Sequence, residues 1–415
     1  MTMQIVEATL LIPGRGEPVR DGVVAFDGAR ITYAGPASDA PPHVREGTDR
    51  VRVPVVMPGL WDCHAHFMGV RDLDLVRVVT TPAPVLAARA AKDAEAALQA
   101  GFTSVREVGG FGIHLAQVVD EGTIAGPTIY AAGAILSQTG GHGDLHSLPL
   151  ATILDHSRAG GVLQLCDGIA ECLKAVRMQL RRGARVIKVC ASGGVLSEVD
   201  HPVHQQFSDE ELRTIVEEAA RADRIVAAHC HGKPGIMAAL RAGCRTIEHG
   251  SYLDDEAAVT MREADAILVP TRFIVERMLG SIDRVPSYAR PKITALADSH
   301  HRAIGIAHEA GVRIALGTDI VTSGAESLVP WGANGGELAH LVAAGLSPLE
   351  AIEAGTANGP MTLGPQAPRS GLLAEGYEAD VIALDADPLE DIRVLGEPSH
   401  VTHVWKTGRL VKAPV

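Results

Sequence analysis

The chain has 415 residues, 46% hydrophobic and 21% charged, which allows a large packed core and argues against wholesale disorder. Its formal charge of −13 disfavours nucleic acid and anionic membrane surfaces as partners. No run of about 18 apolar residues and no basic-then-apolar leader is seen, so neither a membrane span nor a signal peptide is expected.

The first 56 residues are strand-like. Gln4–Ile12, Gly22–Phe26 and Arg30–Ala34 alternate, and Asp27-Gly28 between the last two is a hairpin signal. The same texture returns at Ala379–Asp385 and His400–Gly408. The expectation is a small β-sandwich domain built from both chain ends, residues 1–56 and 366–415, flanking a central domain over 57–365.

The centre alternates between apolar runs and helical stretches. Strands are expected at Val55–Met57, Thr103–Val108, Thr128–Ala132, Val186–Val189, Ile225–His229, Thr246–His249, Ile267–Pro270 and Arg313–Asp319. Helices are expected at 87–100, from Ser208 onward and over 291–310. Ser208 and Glu211 have the spacing of a capping box. Eight strand–helix units fit an α/β fold of the (β/α)8 TIM-barrel type, with its site at the C-terminal strand ends. A doubly wound sheet is the competing architecture, but no GxGxxG follows the first central strand.

Chemistry-bearing residues gather at those strand ends. His64 and His66, spaced i, i+2, share one face of an extended chain. His229, with His231 two residues on, ends the fifth strand, His249 the sixth and Asp319 the eighth. His142 follows the third in Thr139-Gly140-Gly141-His142-Gly143-Asp144. Histidine and carboxylate donors without paired cysteines suit Zn²⁺ or a related divalent ion, Mn²⁺ or Co²⁺. The six scattered cysteines fit reduced thiols, Cys63, Cys190 and Cys230 as packing residues, and a cytoplasmic location.

Lys188 lies inside an apolar strand, where an unpaired ammonium is costly. Either it pairs with an acid such as Glu198, or its neutral amine takes up carbon dioxide. The resulting carbamate is an anion able to bridge two metal ions.

Pro58–His66, Ile187-Lys188, His229, Glu248-His249-Gly250, Leu316–Asp319 and Ala379-Asp380-Val381 together resemble the amidohydrolase superfamily, over nearly the whole chain. The Thr139–Asp144, Ile187–Gly194 and Ile247–Gly250 stretches are similar to its prolidase-like subgroup of Xaa-Pro dipeptidases, metal-dependent carboxypeptidases and amidases. The resemblance implies two divalent ions. His64, His66 and Asp319 would hold one, His229 and His249 the other, and carboxylated Lys188 would bridge them. It implies hydrolysis of an amide, in a dipeptide or N-acyl amino acid, by a metal-bridging hydroxide. Asp319 would move the proton and His142 would steady the oxyanion. A small-molecule amide is the expected partner, and a homo-oligomer is compatible with the reading.

Two departures matter. Some dipeptidase relatives carry a tyrosine where this chain has His231, so His231 is either a substrate contact or a structural histidine. Arg272 is the alternative clamp for a substrate carboxylate, or else a solvated loop residue. Non-peptide amides, carbamates and ureas are the second substrate class. A mononuclear deaminase is a further alternative, but its usual acid three residues after the fifth-strand histidine is Gly232 here. A non-catalytic scaffold is disfavoured because every ligand position is filled. His201, His204, His300 and His301 read as surface or loop residues.

Overall fold

The computed structural model describes residues 3–414. Met1, Thr2 and Val415, at the ends assigned to the β unit, lie outside the described residues. In chain order the strands are β1 (Gln4–Leu11), β2 (Val19–Asp27), β3 (Arg30–Pro36), β4 (Asp49–Pro58), β5 (Leu60–Val70), β6 (Phe102–Glu107), β7 (Thr128–Ala131), β8 (Ile135–Ser137) and β9 (Leu163–Leu165). They continue with β10 (Ile187–Cys190), β11 (Val226–Cys230), β12 (Thr246–His249), β13 (Ile267–Val269), β14 (Arg313–Ile314), β15 (Ile320–Thr322), β16 (Val381–Leu384), β17 (Val401–Lys406) and β18 (Arg409–Lys412).

Both ends of the chain meet in one seven-stranded mixed sheet, ordered β18-β17-β16-β4-β1-β2-β3. β1 is antiparallel to β2 and parallel to β4, and β16 closes on β4 with Val381 opposite Pro58. The ladder is continuous, so the layers of the expected sandwich are parts of one sheet that curls on itself: Phe26 on β2 and Trp405 on β17, four strands apart, lie 6.2 Å between ring centres. Both its faces are apolar: Val24, Phe26, Val56, Val381 and Trp405 pack on one side, Ile5, Val23 and Ala25 on the other.

The remaining strands are parallel and lie in two sheets, β14-β13-β12-β11-β10-β8-β9 and β15-β5-β6-β7. β10, β11 and β12 are buried at every residue, as expected where helices cover a parallel sheet. Backbone bonds also pass between the segments of the two sheets: Cys63 N–H on β5 donates to Leu316 O just after β14, and Arg185 N–H just before β10 donates to Ala131 O on β7. The expected capping box forms at the helix Asp209–Ala220, where Ser208 and Glu211 each bond the other's backbone N–H.

One expected strand moves to the other sheet. Val55–Met57 belongs to β4 in the outer sheet, and the first parallel strand is Leu60–Val70. Pro58-Gly59 is the crossing between the two sheets. Gly59 donates to Asp380 O, and a Cβ there would lie 2.2 Å from Thr103 Oγ1, so only glycine passes. All six cysteines are free and buried. No described helix is long and apolar enough to cross a membrane.

Candidate metal centre and active site

β5 is buried along all eleven residues and carries His64 and His66 on one face. Their Nε2 atoms lie 3.4 and 3.1 Å from Asp319 Oδ1. Each ring is fixed from behind. His66 Nδ1 is 2.8 Å from Gly109 O, which can only accept, so this nitrogen carries the proton and Nε2 keeps its lone pair. His64 Nδ1 is 2.7 Å from Glu248 Oε2. Glu248 is fully buried and receives Arg106 Nη2 at 2.7 and 2.9 Å, together with the Thr246 hydroxyl. Burial alone would raise the Glu248 carboxyl, but the Arg106 guanidinium and His64 outweigh it and hold it far below the usual carboxylate range.

Asp319 is delivered by the segment after β14. The Thr318 and Asp319 N–H groups both donate to His64 O, at 3.1 and 2.6 Å. Beneath them Asp62 accepts from Thr318 Oγ1 (2.6 Å) and Asn334 Nδ2 (2.7 Å). Burial opposes the charge on Asp319, but His64 and His66 overcome it and keep the carboxyl well below its ordinary value.

The second cluster is His229, His231 and His249, whose possible ligand atoms lie within 4.8 Å of one another, as do those of His64, His66 and Asp319. His231, expected as a substrate contact or a structural histidine, thus lies within this group. Its Nδ1 is 2.7 Å from Ser251 Oγ, and His249 Nδ1 is 2.8 Å from Thr271 Oγ1. His229 Nε2 is 3.1 Å from Gly193 O. Burial pushes all three imidazoles well below their ordinary value, so they are neutral and have lone pairs to offer.

Lys188 sits between the clusters, 2% exposed, with Nζ 3.3 Å from His64 Nε2. Burial pushes its amine below the usual lysine value. Glu198 is exposed and forms no ion pair with it among the described residues. His64 and His249 approach to 4.9 Å between ring centres, so the two groups adjoin. Neutral imidazoles, one carboxylate and one amine, with no thiolate, form a donor set that fits two first-row divalent ions.

His142 stacks on His229, with ring centres 4.2 Å apart. These groups line a cavity whose walls include Met68, Leu75, Leu145, Leu196, Ile274 and Met278. No arginine lines it among the described residues. Arg272 points elsewhere: its guanidinium pairs with Glu276 at 2.5 Å and donates to Ala297 O at 2.6 Å. It is neither the expected carboxylate clamp nor a solvated residue, because the Arg272–Gly280 helix turns it into the protein and it is 6% exposed. His300, expected at the surface, is fully buried, with Nε2 2.7 Å from Pro270 O, and burial lowers it to about 3. His201, His204 and His301 are exposed.

Three residues at the strand ends adopt left-handed backbone: His249 (φ 68°), Thr271 (58°) and Asp319 (57°). This conformation is costly for a β-branched residue and clusters at functional sites. Arg106 and Glu248 were overlooked as site residues. The available signal was the same as for Lys188: a charge in the middle of an apolar strand.

Comparison with known proteins accords with this geometry. A sequence model of the amidohydrolase family matches residues 55–411. The chain is 48% identical to ochratoxinase of Aspergillus niger over 424 aligned residues, spanning 99% of this chain and 87% of that protein. The crystal structure of the A. niger ochratoxinase superposes with a TM-score of 0.95 at 47% identity, covering 100% of this chain and 96% of that one. A prolidase crystallised with N-methylphosphonate-L-proline gives 0.90 at 33% identity, covering 99% and 100%. A Xaa-Pro dipeptidase with methionine in its active site gives 0.88 at 29%, also covering 99% and 100%.

Proposed function

The chain belongs to the amidohydrolase family and is a hydrolase of amide bonds, and from that premise we propose that it cleaves amides of amino acids carrying a large apolar group. N-acyl amino acids and dipeptides are the substrate class. The carrying observation is the pair of adjoining ligand clusters, with Lys188 between them, at the floor of an apolar-walled cavity. The names of the similar ochratoxinase and Xaa-Pro dipeptidase support this class.

The two parallel sheets are read as one closed (β/α)8 barrel, which would set the site at its C-terminal rim. Residues 1–56 and 366–415 are read as the flanking β domain. His64, His66 and Asp319 would hold one divalent ion and His229, His231 and His249 the other, with Lys188, as its carbamate, shared between them. Zn²⁺ suits the donors best, with Mn²⁺ or Co²⁺ as alternatives. Bound there, such ions polarise a carbonyl and make water a competent nucleophile near neutral pH.

The protein's own groups complete the reaction. Asp319 accepts the proton of the attacking water at a carboxylate oxygen and passes it to the leaving nitrogen. A C–O bond forms, the C–N bond breaks, and an acid and an amine leave. Glu248, held by Arg106, keeps the His64 ring oriented throughout. The apolar walls keep bulk water from the scissile bond and seat the hydrophobic group.

The cavity lining lacks a guanidinium for a substrate carboxylate, which favours a second reading: aryl amides, carbamates or ureas without a free acid. A hydrolysis panel of N-acyl amino acids, dipeptides including Xaa-Pro, aryl amides, carbamates and ureas, with Zn²⁺ or Mn²⁺ and bicarbonate, separates the two. Cleavage of N-acyl amino acids bearing aromatic or long aliphatic groups is expected. Turnover confined to amides without a carboxylate would establish the second reading. One tightly bound ion with deamination as the sole activity would overturn both.

A further inference from the structure

His142 is held at three points by a loop it does not belong to. Its Nδ1 is 2.9 Å from Ser197 Oγ, its backbone N–H donates to Gln206 Oε1 at 2.9 Å, and its ring lies flat against Gly194. A Cβ on Gly194 would fall 2.0 Å from Nδ1. Ser197 and Gln206 are in turn tied to one carboxylate. Ser197 Oγ donates to Asp200 Oδ1, while Gln206 Nε2 and Gly194 N–H donate to Oδ2, each at 2.9 Å. Lys292 anchors the loop from outside, donating to Ser197 O and Asp200 O at 2.6 Å each.

The protons in this chain can be counted. A serine has one hydrogen to donate, and a carboxylate ringed by three donors only accepts. The Ser197 hydrogen goes to Asp200, so Ser197 must accept from His142. In a neutral His142 ring the proton therefore sits on Nδ1. Its Nε2, which has no protein hydrogen bond among the described residues, faces the cavity as a lone pair.

We infer that Asp200 and Ser197 are positioning residues that lock His142 in the Nδ1–H tautomer and present Nε2 to the substrate as a hydrogen-bond acceptor. This rests on the amide-hydrolase reading and revises the role expected for His142. A neutral His142 of this tautomer cannot donate to an oxyanion. It accepts from the substrate amide N–H or from the attacking water, which orients the scissile bond between Nε2 and the two clusters. The carboxylate–hydroxyl–imidazole order also explains the Gly-rich turn after β10, which must let the His142 ring approach.

The test is nitrogen NMR of the zinc-loaded protein with labelled histidine, His142 being assigned by its loss in His142→Asn. The native ring should read as Nδ1-protonated. Ser197→Ala and Asp200→Asn should move it toward the Nε2-protonated form, and Ser197→Thr, which keeps the hydroxyl, should restore it. On the substrate found in the panel, Ser197→Ala and Asp200→Asn should lower kcat by ~10- to 100-fold with KM within about twofold. A native ring protonated at Nε2, or an unchanged tautomer in Ser197→Ala, overturns the inference. The NMR arm needs no substrate, so it decides the relay even where every panel amide resists cleavage and the functional reading fails.

Discussion

Among the described residues, Lys188 has a single polar neighbour within hydrogen-bond distance, His64 Nε2 at 3.3 Å. The neutral amine is the form that adds to carbon dioxide, so the same burial that makes an ammonium costly and lowers the Lys188 amine would favour the proposed carbamate. If Lys188 bridges two ions as proposed, Lys188→Ala should cut hydrolysis by at least ~100-fold and lower the bound metal from two ions per chain toward one, read by elemental analysis. Added short carboxylic acids should restore part of the activity. Two ions and full activity in that variant would remove the bridge. His64, His66, His229, His249 and Asp319 were legible because the spacing or the strand-end position of each is a property of a short window. The residues that steer them were not. Arg106 and Glu248 each stand out as a charge within a buried strand, but they meet across 142 positions, and Ser197 reaches His142 across 55, so no short window reveals either pairing.

At the scale of elements, the site depends on how closely β5 and the 316–319 segment approach. A Cβ on Gly317 would lie 2.7 Å from His64 Cβ and 2.4 Å from Val269 Cγ1. Gly317→Ala must therefore push β5 aside. It should cost about 1–3 kcal/mol in denaturant unfolding and weaken zinc binding, measured by competition with a chelator. Unchanged affinity would mean that the segment moves and His64 does not. This segment also shows where the sequence pattern misleads. Arg313–Asp319 reads as one strand, yet β14 ends at Ile314, and the following amides bond to Leu268 O, Ala354 O and His64 O in turn. In the same way, 49–58 and 60–70 are both apolar strands split only by Pro58-Gly59, and burial alone does not tell which sheet each joins. β8 and β9 are three residues each, too short for a periodic signal.

For the whole molecule, the proposed ions would be a source of stability. With free zinc at about 100 times its dissociation constant, binding adds ~2.7 kcal/mol, so chelation should lower the melting midpoint by several degrees and zinc should restore it. Stability should also depend on pH in two opposed windows. Burial pushes Glu107 and Glu337 up to about 8. The folded state then holds more protons than the unfolded one between about 4.5 and 8, so these groups lose stability as pH rises through that range. His300, lowered to about 3, acts in the other direction, its contribution fading as pH falls below ~6.5. Glu107→Gln should match the native chain at pH 5 and exceed it at pH 9 by up to ~5 kcal/mol in urea unfolding. A constant difference at both pH values would show that Glu107 does not change its charge.

The seven-stranded sheet joined from both ends has a consequence for synthesis in the cell. β4 leaves the ribosome early, but its antiparallel neighbour β16 begins only at Val381. At ordinary translation speed that is roughly half a minute later. Until then one edge of β4 is open, and Val56 and Met57 await partners on β16. The nascent chain must carry this unfinished edge past every intervening strand and helix. The segment that carries β4 is thus made long before β16 and completed only after it, and it is where a chaperone would be needed most.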